Sequence, residues 1–109
     1  MKTHVKSSDI PMENVGPGLD RQIMGYDSDI MLVKVYFKKG SIGYVHEHPH
    51  QQVSYVVSGK FEVEIDGEKK ILEEGDAFVI PSNVLHGAVC LEDGVLIDTF
   101  SPLREDFLE

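Results

Sequence analysis

Glycine and proline punctuation constrains this chain more than any other feature. Ten glycines and five prolines are spread along it so that few windows are long enough for an ordinary helix. The pieces in between alternate with period two. Met31, Val33, Val35 and Phe37 share one face of their segment; Phe61, Val63 and Ile65 share another, with Glu62, Glu64 and Asp66 opposite. Successive residues of a strand point to opposite sides, so such segments bury one face and wet the other. Asp66-Gly67 reads as a hairpin turn leading back into Lys70-Ile71-Leu72, because this pair tolerates the positive φ of a tight turn. Ala77-Phe78-Val79-Ile80 is stopped by Pro81, and Glu92-Asp93-Gly94 reads as a second turn, joining Ala88-Val89-Cys90-Leu91 to Val95-Leu96-Ile97. One helical turn is expected after Pro102, since proline suits a first helical position. Short strands with frequent turns predict an all-β sandwich or barrel.

Size and charge narrow the function. At 109 residues the chain makes a single domain spanning 1–109, with residues 1–20 read as an N-terminal arm. Ten Lys and Arg against nineteen Asp and Glu leave a net charge of −9. That field repels a phosphate backbone, so nucleic acid is not an expected partner. No apolar run approaches the roughly 20 residues that cross a bilayer, so no membrane partner is expected. The N-terminus also lacks the apolar run of a signal peptide, and a cytoplasmic location is expected. The single cysteine, Cys90, excludes an intrachain disulfide framework and a Cys-rich zinc site.

Four of the five histidines are His46, His48, His50 and His86, and three of them crowd one segment. In a strand, His46 and His48 point to the same face, so both imidazoles can converge on one point. Gln52 has the same parity and offers a neutral oxygen; His86 has to arrive from another strand or loop. Neutral imidazole is the commonest protein ligand for transition metals. From the HxH pattern alone, a metal site and a solvated His-rich loop both stay open.

The residues around these histidines carry a resemblance. From Gly40 the chain reads GSIGYVHEHPHQQVSYVVSG, and from Gly75 it reads GDAFVIPSNVLHGAVC. These segments resemble the two motifs of the cupin superfamily, G(x)5HxH(x)3–4E(x)6G and G(x)5PxG(x)2H(x)3N. The resemblance implies a single-domain cupin jelly-roll (double-stranded β-helix) barrel, with metal ligands at His46, His48, Gln52 and His86. It implies one divalent transition metal ion as cofactor; three imidazoles and an amide suit zinc, nickel, iron or manganese alike. It also implies a homodimer, in which Thr3 to Val15 reaches the partner and covers an open sheet edge. Gln52 stands where the family usually has Glu, which leaves more positive charge at the metal. Asn83 replaces a glycine and Cys90 a terminal Asn. The motif passes over His50, and His4 belongs to the arm.

The C-terminal strand is the more specific clue. Asp98 and Phe100 share one face of Val95 to Ser101, and an ionisable group there is costly unless it is paired or solvated in a cavity. Periodicity alone leaves open a surface Asp at a strand end, with Arg104 as an ordinary exposed cation. Asp98-x-Phe100-x-x-x-Arg104, with HxHPHxQ upstream, is similar to the pectin degradation protein group of cupins. Those proteins convert 4,5-unsaturated uronates, released from pectin or alginate, into linear ketonised sugars. The similarity implies a ring-opening enzyme of isomerase or lyase type acting on a small anionic sugar. Its catalytic residues would be Asp98 as acid–base group and Arg104 on the carboxylate, with Phe100 and Arg104 binding substrate. Two other readings remain open: a different metal-dependent cupin enzyme, such as a dioxygenase or sugar isomerase, and a non-catalytic sugar- or metal-sensing module.

Overall fold

The computed structural model describes residues 2–109. Eight strands form where the period-two segments lie: β1 (Glu13–Gly16), β2 (Leu19–Asp27), β3 (Ile30–Phe37), β4 (Ile42–His46), β5 (Gln51–Ile65), β6 (Glu68–Glu73), β7 (Ala77–Ile80) and β8 (His86–Ser101). Short 3-10 turns cover Ser7–Asp9 and Glu105–Leu108, the second in the stretch expected to be helical. Every strand pairing is antiparallel. The order is β1-β2-β3-β8-β5-β6, with β4 added to β8 and β7 added to β5. The architecture is therefore the all-β jelly roll that the motifs imply. Among the described residues its ladder is not closed hydrogen bond by hydrogen bond, and β1 and β6 end it.

The Asp66-Gly67 turn forms as expected, with φ of 52° and 79°. Two successive positive φ values match the right-handed twist of the flanking strands. The second expected turn does not form. Glu92, Asp93 and Gly94 lie inside the continuous 16-residue β8. Here the polar, flexible residues serve a bend. β5 and β8 pair along most of their length, and their register shifts between Val56 and Phe61. Gly59 sits at φ 87°, and a Cβ there would fall 2.5 Å from the Cα of Gly94. Two backbones approach so closely only if both residues lack side chains. The Asp93 carboxylate accepts from the Lys39 backbone N–H at 2.6 Å, which ties the bend to the β3–β4 connection.

Buried faces of these strands make two apolar clusters. One is built on Phe37, Val56, Phe61 and Leu96, the other on Met31, Val33 and Phe100. Phe61 is fully buried and meets Phe37 edge-on, with ring centroids 5.0 Å apart. Phe61→Ala should lower stability by about 3–5 kcal/mol, read by urea unfolding. A loss below about 1 kcal/mol would contradict this packing.

Part of the segment read as an arm is held against its own chain. The Gln22 amide donates to the carbonyls of Ser7 and Ile10 at 3.1 and 3.0 Å, and Glu13–Gly16 pairs with β2. Among the described residues, no helix is long and apolar enough to cross a membrane.

Candidate metal centre

The histidines do converge, though not by strand parity. β4 ends at His46, and His48 lies in the loop before β5, where Pro49 turns the chain. Gln52 is the second residue of β5, and His86 opens β8 directly opposite His46. Ring centroids lie 4.4 Å apart for His46 and His86, 4.8 Å for His48 and His86, and 5.6 Å for His46 and His48. One nitrogen from each ring can be chosen so that all three lie within 4.8 Å of one another. His48, His86 and Gln52 are buried, while His46 faces solvent. The His50 ring neighbours His48 at 5.5 Å and stays outside the cluster.

Backbone carbonyls fix the chemistry of these rings. His46 Nδ1 lies 2.8 Å from the Tyr44 oxygen, His48 Nδ1 2.9 Å from that of His50, and His86 Nδ1 2.9 Å from that of Val84. A carbonyl can only accept, so each Nδ1 carries the proton and donates. In a neutral ring Nε2 then keeps its lone pair. Burial, reinforced by the positive charge of Arg104, holds the proton affinity of His48 below the ordinary value. Burial also brings His86 down to about 4. These two rings are therefore neutral at physiological pH. The Nε2 of His48 faces the Gln52 Oε1 at 3.1 Å, two acceptor atoms turned toward each other. Neutral imidazole lone pairs joined by an amide oxygen fit a divalent transition ion.

A polar row leads from this cluster into the barrel. Gln52 Nε2 donates to Ser54 Oγ at 2.9 Å, and Ser54 Oγ donates to Asp98 Oδ1 at 2.6 Å. Burial raises the Asp98 carboxyl to about 6, against the lowering effects of Ser54, Arg104 and Gln52. Arg104 is buried and forked onto Asp106, with Nε donating to Oδ1 at 3.0 Å and Nη2 to Oδ2 at 2.8 Å. Its guanidinium lies 5.1 Å from the Phe100 ring centroid and 4.2 Å from that of Phe107. Phe107 has Arg21 on it as well, at 4.1 Å. The Phe100 ring meets His48 nearly edge-on at 5.7 Å.

One cavity of about 170 Å³ brings these groups together. His46, Gln52, His86, Asp98, Phe100 and Arg104 line it, and Phe37, Phe78 and Leu96 make part of its apolar wall. His48 stands just behind, against His86 and Phe100. Three participants escape the sequence reading. Ser54 shares the parity of Gln52 on β5, which was a usable signal. Asp106 and Phe107 lie in a 3-10 turn, where no periodicity announces them.

Residues 33–99 match the sequence profile of the Cupin domain family. The chain belongs to the cupin family. Along nearly its full length this cupin is 49% identical to the pectin degradation protein KdgF of Dickeya dadantii (strain 3937), with 99% of this chain and all of that protein aligned. Its structure superposes on KdgF from Halomonas sp. with a TM-score of 0.93, at 44% identity, covering 98% of this chain and 99% of the other. An RmlC-like cupin from Shewanella frigidimarina NCIMB 400 also gives 0.93, at 51% identity over 97% of this chain and 96% of its own.

Proposed function

We propose that this cupin is a metal-dependent enzyme that opens and ketonises 4,5-unsaturated uronates from pectin or alginate breakdown. The observation that carries the reading is one cavity lined jointly by the histidine–glutamine cluster, an acid–base carboxyl and an arginine. Its near-full-length likeness to a pectin degradation protein supports the same substrate class.

The substrate is a cyclic hemiacetal whose ring oxygen is part of an enol ether beside a carboxylate. Asp98 takes the proton of the anomeric hydroxyl as the bond from the anomeric carbon to the ring oxygen breaks. An aldehyde and an enolate conjugated to the carboxylate result. Asp98 then returns the proton to carbon 4, leaving a linear ketone, so the net change is an isomerisation. A carboxyl near 6 is suited to both transfers at neutral pH. When bound, a divalent ion supplies Lewis acidity for substrate oxygens.

Arg104 holds the substrate carboxylate. Because Asp106 already occupies its Nε side, the Nη1 edge is the part left to bind. Asp106 therefore fixes the direction of that edge and offsets its charge. Phe100 walls the ring and shields the site from water. Arg104→Ala should raise KM roughly tenfold or more with a smaller fall in kcat, as expected for lost ground-state binding. A fall in kcat with KM unchanged would move Arg104 out of the carboxylate role.

The test of the function follows alkene absorbance of an unsaturated galacturonate with metal-loaded protein, and NMR identifies the linear ketone. Consumption no faster than in buffer would end the proposal.

A further inference from the structure

We infer that Ser54 is a positioning residue that sets which end of the Gln52 amide faces the metal. This rests on the metal-binding part of the proposed function and not on the substrate. A glutamine in a ligand set has a problem that a glutamate lacks. Its carboxamide has one end with lone pairs and one end with only N–H donors, so half of its orientations offer no ligand atom. Something nearby has to choose between them.

Ser54 makes that choice through proton counting. It is fully buried, sits two residues after Gln52 on the same face of β5, and lies directly opposite Asp98 on β8. A serine hydroxyl has one proton to give. That proton is donated to Asp98 Oδ1 at 2.6 Å. With its proton committed, Ser54 Oγ can serve Gln52 only as an acceptor. The amide nitrogen must therefore turn toward Ser54, where it lies at 2.9 Å. The oxygen is left facing the Nε2 of His48 at 3.1 Å, beside the three converging imidazoles. A flipped amide would set Oε1 against Ser54 Oγ and an N–H pair against the metal position. The first contact would leave two buried oxygens without a proton between them, and the second would offer the ion no lone pair.

The same row joins the metal ligand to the acid–base carboxyl, so one hydroxyl aligns both. Alternation along β5 places Gln52 and Ser54 on its buried face, where a serine is otherwise without use.

The test is a set of metal titrations with zinc or nickel against a chromogenic chelator, comparing wild type with single and double variants. Wild type should bind tightly. Ser54→Ala should weaken binding about 10–100-fold, the usual cost of removing a partner that orients a ligand. Ser54→Thr, which keeps the hydroxyl, should restore binding to within about threefold. The deciding arm is Ser54→Ala placed on Gln52→Glu, compared with Gln52→Glu alone. A carboxylate has no wrong end, so there the loss should shrink to about threefold or less. Urea unfolding of the metal-free proteins reads the fold separately from the site. If Ser54→Ala costs as much on the Gln52→Glu background as on the wild type, or costs nothing on either, the orienting role is overturned while the metal site stands. Wild type that binds no ion overturns both.

Discussion

Replacing Asp98 by asparagine should lower turnover of an unsaturated uronate by about 10²–10⁴ while metal content stays unchanged. Asparagine keeps the shape of the side chain, and with its oxygen turned toward Ser54 the hydroxyl proton stays committed, so the polar row and the Gln52 amide hold their places. What disappears is the ionisable carboxyl that, in the proposed mechanism, takes a proton from the anomeric oxygen and delivers it to carbon. Asp98 is outside the ligand cluster and reaches it only through Ser54 and Gln52, which is why metal binding and rate should separate. Steady-state assays and elemental analysis of the same preparation read both quantities. Full activity in Asp98→Asn would remove Asp98 from the chemistry. A parallel loss of metal would make it a support of the ligands instead.

How much of this was legible beforehand depends on the residue. The resemblance to the cupin motifs points to His46, His48 and His86, and these three do converge. Strand parity does not account for this, because His48 lies beyond the end of β4 and is brought in by a loop carbonyl, that of His50. Parity arguments hold only inside strands. Glu92-Asp93-Gly94 misled for a related reason: turn residues also suit a bend between two long strands, and only the partner glycine at position 59 separates the two uses. Asp98 and Phe100 were legible as neighbours on one face and Arg104 as a nearby cation. The fork from Arg104 to Asp106 was not, since it is made within an irregular turn. Ser54 was readable in principle, as a polar residue at a buried parity position next to a candidate ligand. Small hydroxyl residues are common in strands, and its role emerges only once Asp98 is seen across the ladder.

His48→Ala should abolish tight metal binding, weakening it by at least about 100-fold, and uronate turnover should fall with it. The reasoning begins with burial. His48 is 7% exposed, its Nδ1 is held by the His50 carbonyl, and its Nε2 faces Gln52. Removing the ring takes away an oriented member of the proposed ligand set and opens a space that water can enter, leaving two imidazoles and an amide. Loss of a mere supporting partner costs a site about 10–100-fold, so loss of a ligand itself should cost more. His50→Ala supplies the contrast. Its ring lies outside the cluster, and its Nδ1 is buried without a hydrogen-bond partner. The carbonyl that orients His48 belongs to the backbone and survives the substitution. That variant should keep roughly one divalent ion per chain. Elemental analysis after gel filtration, followed by calorimetric titration, compares the two. Retention of a full complement of metal by His48→Ala would take this histidine out of the ligand set. Loss in His50→Ala alone would shift the site toward the loop, where a different histidine pair would have to hold the ion.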